Sequence, residues 1–91
     1  MSVVADGSGS RCRAVVARMG AERTRWRVMV EAWPSAGRYE GRLVFEPDNL
    51  GASASSRVTA PVLRGGSAED VVGAAYDMSE KRLRELLHSL A

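Results

Sequence analysis

Residues 65–91, GGSAEDVVGAAYDMSEKRLRELLHSLA, combine a start motif, a helical period and charges placed to suit both. Gly65 and Gly66 break the preceding segment, Ser67 is an N-cap that accepts from the backbone N–H three residues on, and Asp70 stands at the acidic position of a capping box. Glu69 and Asp70 also suit the positive end of a helix dipole. With successive residues about 100° apart, Val71, Val72, Ala75, Tyr76, Leu83, Leu86, Leu87 and Leu90 share one face, while Glu69, Gly73, Asp77, Glu80, Lys81 and Arg84 lie opposite. Ser79 interrupts the apolar face and, followed by Glu80, doubles as a cap for a second helix. A single helix over 67–90 would be roughly 36 Å long, against roughly 27 Å for an eight-residue strand. The spacing therefore predicts a bend, a break or an overhang over 77–80, and an overhang would leave the stripe of Leu83, Leu86, Leu87 and Leu90 partly uncovered as a partner surface.

Upstream of this segment the period changes from helix to strand. Over 26–33, Trp26, Val28, Val30 and Ala32 alternate with Arg27, Met29, Glu31 and Trp33; over 38–46, Tyr39, Gly41, Leu43 and Phe45 alternate with Arg38, Glu40, Arg42, Val44 and Glu46. Residues 34–37 supply the turn of a hairpin. A four-residue loop would pair Ala32 with Tyr39, Val30 with Gly41, Val28 with Leu43 and Trp26 with Phe45. A slip by one residue would bring Glu40 and Arg42 into the core, so the pattern resists it. Ala32 and Gly41 are small enough to let a helix lie close to the sheet.

Residues 57–63 read as a third strand with Val58, Ala60 and Val62 inward, and Pro61 marks it as an edge. Residues 52–56 read as a loop, and 1–10 as a flexible tail with little to bury. Over 11–19, Cys12, Val15, Val16 and Met19 recur at helical spacing, with Gly20 as a C-cap, and favour a short helix. The rival reading is an extra strand, since Val15, Ala17 and Met19 also alternate with Ala14, Val16 and Arg18. The expected fold is α+β: a three-stranded antiparallel meander covered on one face by the C-terminal helix, in a single domain over 11–91.

With 91 residues, 45% apolar and 26% charged, the chain fits one small domain of modest stability. Its apolar runs fall well short of the ~20 residues that cross a bilayer, its first residues lack the pattern of a secretion signal, and Cys12 has no second cysteine to pair with. Cytoplasmic location is expected, with no membrane partner. The net charge of +2 is unevenly laid out: Arg11, Arg13, Arg18, Arg23, Arg25 and Arg27 lie among one acid, Glu22, whereas acids prevail from Ser67 onward. Such asymmetry fits a nucleic-acid footprint. Twelve arginines against one lysine, with abundant Ala, Gly and Val, also fit GC-rich coding.

Groups able to do chemistry do not converge. His88 is the one histidine and suits the negative end of a helix better than general-base work. Cys12 has no histidine near it in sequence and reads as a small apolar residue. Glu31 and Glu40 would face one another across the expected hairpin, with Arg38 and Arg42 on the diagonals to neutralise them. Metal-ligand spacings are absent. Gly65, Gly66 and Ser67 resemble the start of an anion cradle, but Glu69 and Asp70 would repel an anion there. No catalytic residue, cofactor or metal is expected.

The helix-strand-strand-strand-helix order, with Ser67 opening the last helix and Ala74 and Ala75 in its second turn, is similar to the double-stranded-RNA-binding domain. The resemblance covers topology and these three small residues. That family carries lysines after the matching serine to grip phosphates; here Ala68 and Glu69 stand in their place.

The outer sheet face would mix aromatic, aliphatic and arginine groups, the composition of protein interfaces. Non-enzymatic protein interaction or self-association is therefore the leading expectation, through Met29, Trp33, Arg38, Arg42, Val44 and Leu63 of that face or Leu87 and Leu90 of the terminal stripe. Nucleic-acid binding through Arg11, Arg13, Arg18, Arg23, Arg25 and Arg27 is the alternative.

Overall fold

The computed structural model describes residues 4–5, 11–48 and 54–90. The strands are β1 (Val4–Ala5), β2 (Cys12–Ala21), β3 (Thr24–Ser35), β4 (Arg38–Pro47), β5 (Arg57–Val58) and β6 (Leu63–Gly65), followed by helices α1 (Ala68–Tyr76) and α2 (Glu80–Ser89). All pairings are antiparallel, in the order β1-β2-β3-β4-β5, with β6 also on β4. The fold is α+β, an antiparallel meander packed on one face by the C-terminal helical segment. Of the expected tail, residues 4–5 form β1 and the rest lies outside the described residues, as do 52–53 of the expected loop.

Residues 12–21 correct the first expectation: they form a strand, not a short helix. A bulge between Val15 and Ala17 inserts Val16, so Cys12 and Ala14 before it and Ala17 and Met19 after it all oppose core-facing residues of β3. The bulge shifts the alternation by one residue, and that shift imitated a helical period. Without an N-terminal helix, the topology shared with the double-stranded-RNA-binding domain is lost.

The hairpin register is also corrected, by two residues. Ala36 and Gly37 both have positive φ, 50° and 78°, and form a two-residue turn of the kind that matches strand twist. Pairing therefore continues through Ser35↔Arg38 and Pro34↔Tyr39, giving Ala32↔Gly41, Val30↔Leu43 and Val28↔Phe45. A two-residue change preserves the faces, so the inward set is as expected. Pro34 lies beyond the last β2 pairing, Cys12↔Ala32, where a missing N–H costs no ladder bond.

The third strand is split and inverted relative to expectation. Thr59 N–H donates to the Leu43 carbonyl, while Thr59 Oγ1 accepts from Leu43 N–H, both at 3.0 Å. The chain then leaves the ladder, bends at Pro61, which has no N–H to offer, and returns at Leu63↔Gly41. Thr59 and Leu63 are buried, whereas Val58 and Val62 are exposed.

The core lies between one sheet face and the two helices. Trp26, Val28, Val30, Leu43, Phe45, Val71, Val72 and Leu87 are fully buried within it, and large apolar side chains so buried contribute about 1.5–3 kcal/mol each. Trp26 Nε1 donates to the Ala21 carbonyl at 3.1 Å, so the ring is buried without an unmet donor. Tyr39 packs against the same cluster, half-buried.

The helical segment breaks at the expected place. Ser67 Oγ accepts from Asp70 N–H and Ser79 Oγ accepts from Arg82 N–H, each at 3.1 Å, so each helix has its own cap. The break lets α2 turn back toward the sheet and bury Leu83 and Leu87, with Leu86 and Leu90 packed alongside. The overhang does not form; Leu87 is a core residue and Leu90 is partly covered. Tyr76, expected inside, is exposed at the end of α1.

Candidate interaction face

The corrected register arranges the outer face of the sheet in rows running across the strands. Val15, Met29, Val44 and Val58 form an apolar row. On one side of it lie Arg13, Glu31 and Arg42, and on the other Arg18, Arg27 and Glu46. Beyond Glu31, toward the β3–β4 turn, come Trp33, Glu40 and Arg64. Among the described residues, no helix covers this face.

Glu31 is the centre of the lattice. It is 3% exposed, yet its carboxylate accepts from Arg42 Nε at 2.8 Å and from both Nε (3.2 Å) and Nη2 of Arg13. Burial alone would raise its pKa, but the two guanidiniums outweigh that and hold the carboxyl below its ordinary value. The expected face-off between Glu31 and Glu40 does not occur, because the two-residue turn puts Glu31 opposite Arg42 and Glu40 opposite Trp33. Trp33, half-buried, has Arg11 and Arg42 guanidiniums 5.3 and 5.8 Å from its ring centre. Arg27 Nη2 donates to Glu46 at 3.2 Å, and Arg27 Nε is buried without a hydrogen-bond partner among the described residues.

Of the residues expected at a partner surface, Trp33, Arg38 and Arg42 are accessible on this face. Met29 and Val44 belong to it by register but are only 6% and 7% exposed, so its reachable apolar groups are Val15 and Val58 at the two ends of the row. Leu63 lies instead on the core side, beside Gly41 under α1, and Leu87 is likewise internal. Of the N-terminal arginines, Arg11, Arg13, Arg18, Arg25 and Arg27 gather on the outer face, and Arg23 sits in the β2–β3 turn. Arg18 pairs with Asp48 at 3.8 Å. Arg57 is on the helix side, against the Trp26 ring.

Sequence reading missed Val15, Val58 and Arg64 as members of this face, and missed the Glu31 clamp. The available signal for the clamp was Gly37, whose two-residue turn sets the pairing.

Two shallow depressions flank the face at the ends of the hairpins. Ser35, Ala36, Arg38, Tyr39, Glu40 and Arg64 line one of about 200 Å³, and Gly20, Ala21, Arg23, Thr24 and Arg25 one of about 380 Å³. On the helix side, Glu22 accepts from both Nη atoms of Arg57 (3.1 and 2.9 Å) and lies 2.7 Å from His88 Nδ1, while Arg57 also donates to the Leu87 carbonyl. This cluster fastens the end of α2 to the β2–β3 turn. Among the described residues, no three His, Cys, Asp or Glu side chains are grouped to hold a metal ion, and no helix is long and apolar enough to cross a membrane. Compared with protein-family models, with curated proteins and with solved structures, the chain matches none.

Proposed function

We propose that this chain is a non-enzymatic binding domain, working in the cytoplasm, that docks a protein partner through the helix-free face of its sheet. The observation that carries this reading is Trp33 with its two guanidiniums, set beside the row that ends in exposed Val15 and Val58. Tryptophan and arginine are the residue types most often found to dominate protein interfaces. The Arg13–Glu31–Arg42 clamp, built on a buried carboxylate, supports it further, because it fixes Arg42 before any partner arrives and so lowers the ordering cost of docking. A single cysteine, Cys12, suits a reducing compartment.

The test is affinity capture on the immobilised chain, comparing the native protein with Trp33→Ala and with Glu69→Gln on the helix side. A partner retained by the native protein and by Glu69→Gln, and lost with Trp33→Ala, supports the reading. Equal recovery on all three sinks it.

Nucleic-acid binding is the second reading, favoured by the excess of arginine over acid on the same face. It requires retention on DNA or RNA that falls steeply with added salt; absence of retention at low salt removes it.

A further inference from the structure

Arginines on the outer face fall into two groups. Arg13, Arg18, Arg27 and Arg42 are held in ion pairs, whereas Arg11, Arg25, Arg38 and Arg64 have none among the described residues. Of these four, Arg11 lies against the Trp33 ring and Arg25 at the β2–β3 end, while Arg38 and Arg64 together line the depression of about 200 Å³ at the β3–β4 turn. Arg64 shares a row with Trp33 and Glu40, and Arg38, opposite Ser35, lies in the next row toward the turn. Glu40 alone offsets them, so the depression keeps a net positive charge.

We propose, resting on the open-face reading above, that the partner is an extended acidic segment of another protein, and that Arg38 and Arg64 receive one of its carboxylates beside Trp33. Charge complementarity selects this occupant. A second copy docked face to face would set two arginine-rich faces of the same net charge together, and like charges brought together at an interface cost several kcal/mol. Nucleic acid would be drawn by the same arginines, and it is the ring and the acids of this face that favour an acidic peptide over it. Trp33, the aromatic ring of this face among the described residues, is half-buried with Arg11 and Arg42 beside it, which narrows the platform it offers a stacking base. Glu31, Glu40 and Glu46 also interrupt any continuous track for phosphates. A carboxylate on a side chain needs no track, because a guanidinium fork binds it bidentately at a single point. A segment of about ten residues, at roughly 3.3 Å per residue, covers most of the length of the twelve-residue β3.

The probe is a decaglutamate peptide titrated into the ¹⁵N-labelled full chain at low salt, with a ten-nucleotide oligothymidylate as the comparison. The expected result is displacement of the amide signals of Arg38, Glu40 and Arg64 and of the Trp33 indole by the peptide. The affinity should fall at least tenfold in Arg38→Gln/Arg64→Gln and stay unchanged in Lys81→Gln, an exposed position on α2. Unchanged signal dispersion in the double variant verifies that it remains folded. Equal affinity of native and double variant, with outer-face signals still moving, overturns the anchor while the open-face reading stands. Movement confined to α1 and α2 overturns both. Tighter binding of the oligothymidylate than of the peptide overturns the acidic-protein proposal in favour of nucleic acid, and no response to the peptide overturns it outright.

Discussion

Gly41 and Val71 meet where α1 crosses the sheet: a β-carbon on Gly41 would overlap Val71 Cγ1 and stand 3.0 Å from the Glu31 carbonyl oxygen. Gly41 is paired with Ala32, so the helix crosses the sheet over a glycine beside an alanine. Gly41→Ala should cost about 1–3 kcal/mol, as overpacking of a filled core does. Denaturant titration measures it, and a neutral result would mean that α1 can ride away from the sheet freely.

The β3–β4 turn carries strain at Ala36, an alanine held at φ 50°. Left-handed backbone costs a residue with a Cβ about 1–2 kcal/mol, and asparagine tolerates it better. Ala36→Asn should therefore raise the unfolding free energy by about 0.5–1 kcal/mol. A lowered melting temperature would contradict the turn geometry.

Acid should unfold the protein through two carboxyls. Glu31 and Glu22 both have folded pKa values below the ordinary 4.5: Glu31 through Arg13 and Arg42 against an opposing burial effect, Glu22 chiefly through its hydrogen bonds to Arg57, with His88 adding to them. Because the folded values are the lower ones, the stability these groups contribute is fully present above about pH 4.5 and disappears as the pH falls through the depressed values. Glu31→Gln should cost about 1–2 kcal/mol at pH 6, moderated because both guanidiniums reach water, and the gap to the native protein should close as the pH falls through the depressed value. Urea midpoints across that range check it; a constant gap between the two proteins would show that Glu31 acts through packing alone.

Ser79 makes the break between the helices productive. Ser79→Ala removes the acceptor for Arg82 N–H and should lower stability by about 1 kcal/mol, with Ser79→Asp close to native. Thermal melts of both variants test the cap, and equal loss in the two would assign the role of Ser79 to something other than its side-chain oxygen.

What could be read from the chain follows how local each determinant is. Ser67, Ser79 and the inward set Val28, Val30, Leu43 and Phe45 depend on neighbours a few residues away, and their roles were legible. Val16 was not, because a bulge is settled by the partner strand, and its insertion turned a strand into an apparent helix. The hairpin register depended on whether Ala36 would accept a positive φ, which alanine rarely does. From that one dihedral followed the Glu31 clamp and the positions of Trp33 and Arg64. At 57–63 the apolar residues themselves misled: Val58 and Val62 face outward, and the buried positions belong to Thr59 and Leu63.

The fastening of Glu22 to His88 joins positions 66 residues apart in the chain. Closing so long a loop is entropically costly, whereas the β3–β4 hairpin closes over only two residues. The order of assembly follows: the hairpin zips early, and α2 docks last. Native-state hydrogen exchange should accordingly find α2 amides opening well before those of Val28, Val30 and Leu43, and equal protection of both would refute this order. A hairpin that forms ahead of α2 leaves the core side of the sheet bare to water until residues 80–89 reach it.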